Sequence, residues 1–417
     1  MTAAASPPSI QRSIGERELI VMMATLMALQ ALSIDSMLPA LPNIAGDLGA
    51  GDANRRQLVI GVYLIGTALG ALVPGALADR FGRRPVVFGS IAAYCLLSLV
   101  CALAPDFSVM LAARSLQGFL SAGLTVLPSA IVRDRYSGDR MARMQSTIAL
   151  VFMAVPMMAP SFGQAVLLVA GWRWIFGTTA AMSLLVMAWA WLRLPETLDP
   201  ADVQPIRLSP IITNMGASLL DRSAIGYVIG AGVLWSGLFG YLNSSQQLIA
   251  EQFGGGDKFP LIFAGMAGGM ALANLTNSRI VERFGARRVS QVALFAYIAV
   301  AVLQVWRAFG GNEGLWDFVA LMGAQMCLIA FMGANFSSVA LQPFGRTAGA
   351  AASAQMFVRS SLSSLLGIAI GMSYDGSARN LSVALLTGGL LTLGLVLYSE
   401  RGKLFRRLYA PGAERPA

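Results

Sequence analysis

The sequence predicts an all-α polytopic membrane protein, with twelve transmembrane helices in two pseudo-symmetric six-helix bundles. Three observations carry this. The 417 residues are 56% hydrophobic and only 12% charged, whereas a soluble domain carries roughly 25% charged residues. Long apolar stretches recur from end to end, each near the ~20 residues a helix needs to cross a bilayer. The chain also repeats itself at about half its length. The apolar runs are continuous rather than alternating, so helices are favoured over a barrel, the other structure that satisfies its backbone inside lipid.

The spans fall near residues 18–39, 57–78, 85–104, 107–131, 146–169, 173–193, 224–248, 259–281, 288–308, 316–340, 349–373 and 380–400. This divides the chain into a polar N-terminal tail (1–16), a first bundle (17–195), a linker (196–222), a second bundle (223–400) and a C-terminal tail (401–417). The first span is too long for a signal-peptide core, and no clean small-residue cleavage site follows it.

Basic residues set the orientation. With the N-terminus in the cytoplasm, twenty-two of the 30 Lys and Arg fall inside and six outside, and Arg114 and Arg359 remain within spans. That asymmetry expects both termini, the linker and both tails in the cytoplasm of a multi-pass plasma (inner) membrane protein. It also accounts for the net charge of +9 without nucleic acid, because basic loops sit beside anionic lipid.

The repeat is explicit. Gly75-Ala-Leu-Ala-Asp79-Arg80-Phe81-Gly82-Arg83-Arg84 follows the second span, and Ser278-Arg-Ile-Val-Glu282-Arg283-Phe284-Gly285-Ala286-Arg287 follows the eighth. Arg-Phe-Gly is identical, Asp79 becomes Glu282, and Arg84 matches Arg287. A six-plus-six duplication explains the offset, and parallel halves of this kind rock about a midplane site.

Several function classes drop out. Cys95, Cys101 and Cys327 all lie in apolar spans, read as small packing residues with no disulfide framework or metal spacing. There is no His, which removes the commonest metal ligand and general base. No phosphate-binding loop or catalytic constellation is visible, so an enzyme or an ATP-driven pump is disfavoured, and no cofactor is expected beyond the proton gradient.

Of 21 acidic residues, Asp35 alone lies within a span. It sits ~24 Å along the first helix at ~1.5 Å per residue, and Arg114 sits ~10 Å into the fourth from the outer face, so the two reach comparable depth. A charge at this depth usually faces a cavity or a partner. The pair is therefore expected to interact: burial favours the neutral acid, a nearby guanidinium favours the carboxylate, and switching between them would couple proton movement to transport. The other reading is that Asp35 ends or kinks its helix before Pro39 while Arg114 bonds carbonyls. Arg359 lies roughly 15 Å into the eleventh span with no intramembrane acid in its half. It is left unassigned, with a structural or gating role preferred over contact with an anionic substrate.

Gly75 to Arg84 resembles the loop signature of the major facilitator superfamily. Further stretches resemble its twelve-span drug/proton antiporters of the bicyclomycin/chloramphenicol resistance type. These are Ala31-Leu-Ser-Ile-Asp35-Ser-Met-Leu-Pro39-Ala-Leu-Pro42, Arg114-Ser-Leu-Gln117-Gly118, Ile131-Val-Arg133-Asp134-Arg135, Ala159-Pro160 through Gly163, and Gly171-Trp172-Arg173-Trp174-Ile175-Phe176. The resemblance implies the MFS fold and alternating access, with export of a small amphipathic molecule or drug in exchange for protons. It implies proton coupling by Asp35 and Arg114. It implies a gating cluster of Asp79, Arg83 and Asp134, flanked by Gly75, Arg80, Gly82 and Arg84 and mirrored by Glu282 and Arg287. Gly75 is expected to admit a neighbouring helix closely, and Glu196 is a further candidate partner for Arg84 or Arg143. The fifth span, with Pro156, Pro160 and Gly163, matches the family's antiporter signature in part, since Gln164 stands where a second glycine is common. The fold implies a cavity lined by spans one, four, seven and ten, which offers Trp235, Tyr241, Asn243, Gln246, Gln325 and Asn335 as substrate contacts. A monomer is expected. Two other readings stand beside export: a proton-coupled uptake symporter of the same fold, and a non-transporting membrane receptor.

Overall fold

The computed structural model describes residues 14–136, 138–199, 203, 220–311 and 313–405. Most of the expected linker and the outer parts of both tails lie outside the described residues. Among the described residues every regular element is helical. Ten helices are long and apolar enough to cross a bilayer, and the pair Asn54–Gly70 and Val73–Phe81, bent by 45°, makes an eleventh span. The twelfth expected span is a helix too, Ala348–Met372. Gln355, Arg359 and five serines dilute its apolar character.

The spans are numbered in chain order: span 1, Glu16–Asp47; span 2, the bent pair; span 3, Arg83–Ala102; span 4, Phe107–Arg135; span 5, Gly138–Ala170; span 6, Arg173–Arg193. Span 7 is Arg222–Gln252, span 8 Gly256–Phe284, span 9 Ala286–Phe309, span 10 Leu315–Phe344, span 11 Ala348–Met372 and span 12 Arg379–Ser399. Many large apolar side chains point outward, among them Leu103, Leu168, Val169, Leu185 and Leu261. An apolar surface of that extent fits lipid, not water.

Local chemistry sets the irregularities. Span 1 is helical to Asp35, turns at Ser36 and Met37, and resumes as a short 3-10 turn at Leu38–Ala40 and a helix at Leu41–Asp47. Pro39 and Pro42 each lack the N–H that would continue the ladder. Span 4 breaks at Ala122, and span 7 closes in a π-helical turn, Gln247–Gln252, a form that often marks functional sites.

The duplication read from the sequence recurs in the packing. Spans 1 and 5, 2 and 4, 3 and 6, and 3 and 4 pack together in the first half. Their counterparts six spans on, 7 and 11, 8 and 10, 9 and 12, and 9 and 10, do the same in the second. The halves meet mainly along two seams, span 2 against span 11 and span 5 against span 8, and span 7 also touches spans 1 and 2. Each seam maps onto the other when the repeat is applied.

Glycine brings spans 2 and 4 together. A Cβ on Gly66 or Gly70 would fall 2.2 Å from the carbonyl oxygens of Ser115 and Phe119, and one on Gly118 would fall 2.1 Å from that of Tyr63. This Gly-x-x-x-Gly contact is the close backbone approach that small residues permit in lipid. Gly75 does not do this: nothing lies within 4 Å of where its Cβ would stand, contrary to the sequence expectation.

The buried core also divides unequally. One apolar cluster, with Met37, Leu41, Ile60 and Phe107 of the first half, continues through Tyr241, Ile249 and Phe318 of the second. A separate cluster, including Leu19, Met22, Tyr94 and Leu127, belongs to the first half alone, at the end nearer the chain terminus.

Candidate functional site

The break in span 1 places Asp35. The residue is 7% exposed and makes no hydrogen bond or ion pair with any other described residue. Span 5 fits against the break through Gly163, where a Cβ would lie 1.7 Å from the Ser36 carbonyl oxygen. The glycine of the fifth-span motif therefore seats the backbone next to the buried acid, while Asp35 ends its helix as the alternative reading of the sequence expected.

Arg114 is fully buried and does not pair with Asp35, which corrects the expected partnership. Its guanidinium donates to Ser33 Oγ at 2.6 Å, the Ser33 carbonyl at 3.0 Å, Gln117 Oε1 at 2.7 Å and the Val59 carbonyl at 3.2 Å, and it lies 4.1 Å from the Tyr63 ring centroid. Arg114 reaches the level of Asp35 but meets another face of span 1: residues two apart on a helix, as Ser33 and Asp35 are, do not share a face. Gln117 extends the network to Ser98 Oγ at 2.7 Å, and Gln30 donates to the Ser121 carbonyl at 2.8 Å. Spans 1, 2, 3 and 4 are thereby joined through neutral groups around one cation.

The loop after span 2 forms the expected cluster. Arg83 donates to Asp79 at 2.5 Å and to Asp134 at 2.8 Å, and Thr197 donates to Asp134 at 3.0 Å. Gly82 adopts φ +97°, a conformation glycine takes without strain. Glu196 accepts from the backbone N–H of Arg83 at 2.8 Å and of Arg84 at 3.0 Å, so it caps the start of span 3 and pairs with neither Arg84 nor Arg143. Arg84 instead donates to the Trp191 carbonyl and stacks on Phe88 and Trp191, and Arg143 pairs with Glu16 at 3.0 Å. Arg80 is exposed. In the second half Arg287 pairs with Glu400 at 2.8 Å and bonds Gln342, while Glu282 has no ion pair among the described residues.

A second polar group, which sequence reasoning missed, joins the halves at the end opposite the described termini. Asn54 donates to the Met372 and Tyr374 carbonyls at 3.2 and 2.7 Å, and accepts from Gln247 at 2.9 Å. Gln57 bonds Gln247, and Arg56 pairs with Glu251 at 2.6 Å. Between described residues, the hydrogen bonds and the ion pair that cross between halves all belong to this group. The π-helical turn of span 7 carries both Gln247 and Glu251 to it. Its one mark in the sequence was that Arg56 lies on the side where basic residues are scarce.

The six expected cavity residues scatter. Tyr241 donates to Met266 Sδ, Gln325 bonds the Tyr297 carbonyl, and Asn335 bonds Asn277 and the Phe331 carbonyl, all within the second half. Asn243 is buried near Gly371, beside Gln57, and Gln246 closes the α-helical part of span 7. None lines the 210 Å³ cavity between spans 7, 10 and 11, whose walls include Tyr227, Phe336, Ser337, Gln355, Met356 and Arg359. Trp235 comes nearest in effect, with the Arg359 guanidinium 5.7 Å from its ring centroid.

The relatives agree with this architecture. The sequence pattern of the Major Facilitator Superfamily matches residues 23–368. An uncharacterized MFS-type transporter, YdgK, of Bacillus subtilis (strain 168) is 31% identical over 362 residues, with 85% of this chain and 89% of that protein covered. A bicyclomycin resistance protein homolog of Haemophilus influenzae is 27% identical, with 86% and 90% covered. Among solved structures, a bacterial homolog of the human lysosomal transporter Spinster, inward-facing and unoccupied, superposes with a TM-score of 0.69 at 16% identity, with 93% of this chain and 95% of that chain covered. From the twelve paired helices, the loop cluster and a match across most of its length, this chain belongs to the major facilitator superfamily of multi-pass membrane transporters.

Proposed function

We propose that the chain exports a small amphipathic molecule across the inner membrane in exchange for protons. The observation that carries this is Asp35, buried at the break of span 1 with no ion pair among the described residues. A carboxyl group so placed is most stable neutral, and it releases its proton when a rearrangement admits water or a cation. Arg114 holds spans 1, 2 and 4 in register through Ser33, so it acts on Asp35 as a positioning residue.

The halves supply alternating access. With both termini in the cytoplasm, as the basic residues favour, the joined end faces outward and the arrangement is inward-facing. Export then requires Arg56–Glu251 and the Asn54–Gln247 group to part. In that outward-facing state the Asp79–Arg83–Asp134 cluster serves as the inner latch. The relative named for bicyclomycin resistance supports efflux of this kind. A proton-coupled uptake symporter remains the second reading, since it would use the same buried acid.

The test is a substrate screen in everted vesicles with a proton-sensitive dye. Substrate addition should release protons from acidified wild-type vesicles and leave Asp35→Asn vesicles at background. Uphill transport by Asp35→Asn equal to wild type removes the coupling assignment, and proton movement in the same direction as substrate selects the symporter.

A further inference from the structure

We propose that Arg359 is the anion-recognition residue of this transporter, and that the pocket around it takes an amphipathic organic anion such as a carboxylate or sulfonate. This deepens the transport reading and rests on it in one respect, that the second-half cavity serves substrate.

The two intramembrane arginines make the case by contrast. Arg114 uses four hydrogen bonds and a close aromatic face to settle its charge. Arg359, ~17 Å along span 11 by helical rise and so well inside the bilayer core, has one among the described residues, to Ser337 Oγ at 3.2 Å. Among the described residues its only aromatic contact is the more distant Trp235. No carboxylate pairs with it among the described residues, and the acid at the end of span 12, Glu400, is already held by Arg287 and Tyr227. A guanidinium offers five N–H donors in a planar fork, so most of the fork is left for a ligand.

The surroundings fit that ligand. Arg359 lines the 210 Å³ cavity with Ser337 and Gln355 as polar neighbours and Val228, Ala231, Phe336 and Met356 as apolar walls. The indole N–H of Trp235 has no partner among the described residues. The cavity accepts a charged head and its first apolar segment, not a large drug scaffold. A cation within a span usually marks a substrate path, and an anion would provide the charge the protein does not. The fork suits two-oxygen acids, which Lys matches only as a point charge.

The test uses purified protein in phosphatidylcholine nanodiscs and three matched probes: 2-naphthylacetate, its primary amide, and 2-(2-naphthyl)ethylammonium. Wild type is expected to bind the anion at least about tenfold more tightly than the amide. Arg359→Gln should bring that ratio to about one with amide affinity unchanged, and Arg359→Lys should keep part of it. A wild-type ratio of one or below, or no binding of any probe, overturns the proposal without any variant. Retention of the full preference by Arg359→Gln also overturns it. So does loss of anion binding when part of the lipid is replaced by phosphatidylglycerol, which would assign the site to a lipid headgroup. Because binding needs no proton gradient, the anion preference is read independently of the vesicle assay, so failure of proton coupling and failure of this site give different results.

Discussion

At the scale of residues, what matters is how each buried charge is settled. Among the described residues Asp35 has no partner, Arg114 is neutralised by dipoles, and Arg359 makes a single hydrogen bond. A fourth group, Glu313, lies outside the spans in the connection between spans 9 and 10. Burial pushes its carboxyl up to about 7 from the ordinary 4.5, against the pull of Arg307 and with the help of Asp317. Between about 4.5 and about 7 the unfolded chain has released this proton while the folded loop keeps it. Stability therefore falls as pH rises through that window. The melting temperature of the purified protein should decline from acid to neutral pH, and Glu313→Gln should flatten the decline. An unchanged slope in Glu313→Gln would show that the loop does not bury this acid. Asp35 was legible in the sequence because a lone acid in an apolar run stands out. Arg114's partners were not, because sequence gives depth along a helix and not which face a neighbour presents.

At the scale of elements, helix existence was legible throughout and helix contacts only in part. The apolar runs marked where span 1 lies, and Pro39 marked an end or kink of its helix at Asp35. Gly75, prominent in the first copy of the motif, has no atom within 4 Å of where a Cβ would stand, whereas Gly66, Gly70 and Gly118 set the approach of spans 2 and 4. A glycine's role depends on what lies opposite it, and that is a tertiary fact. The contrast gives a paired prediction. Gly118→Ala puts a methyl group 2.1 Å from the Tyr63 carbonyl oxygen and should cost about 1–3 kcal/mol of stability, as overpacking does. Gly75→Ala meets no atom within 4 Å in this arrangement and should leave the melting temperature of the detergent-purified protein near wild type. Equal melting temperatures for the two variants would contradict the packing described between spans 2 and 4.

At the scale of the whole molecule, the two halves are equivalent in packing and unequal in what holds them together. Apolar core and polar bonds join them at one end, around Arg56, Asn54, Gln57, Gln247 and Glu251. Glu251 is 46% exposed, so the ion pair contributes modestly, about 1 kcal/mol. Arg56→Ala should therefore shift the conformational balance about fivefold toward the state open at that end, since about 1 kcal/mol corresponds to that ratio. Distances between spin labels on the outer ends of spans 2 and 7 would report it as growth of the longer population. A distribution identical to wild type would remove the pair from the gate.

By itself the sequence determined the class of molecule, the number and order of the spans, the duplication and the identity of the buried acid. These follow from local composition and periodicity, because lipid forces each run to satisfy its backbone alone. The tertiary structure decided which charges meet, where backbones touch, and at which end the halves close. Those outcomes depend on helix faces and on residues as much as 320 positions apart, such as Asn54 and Tyr374, and no local pattern encodes the rotation of one helix against another.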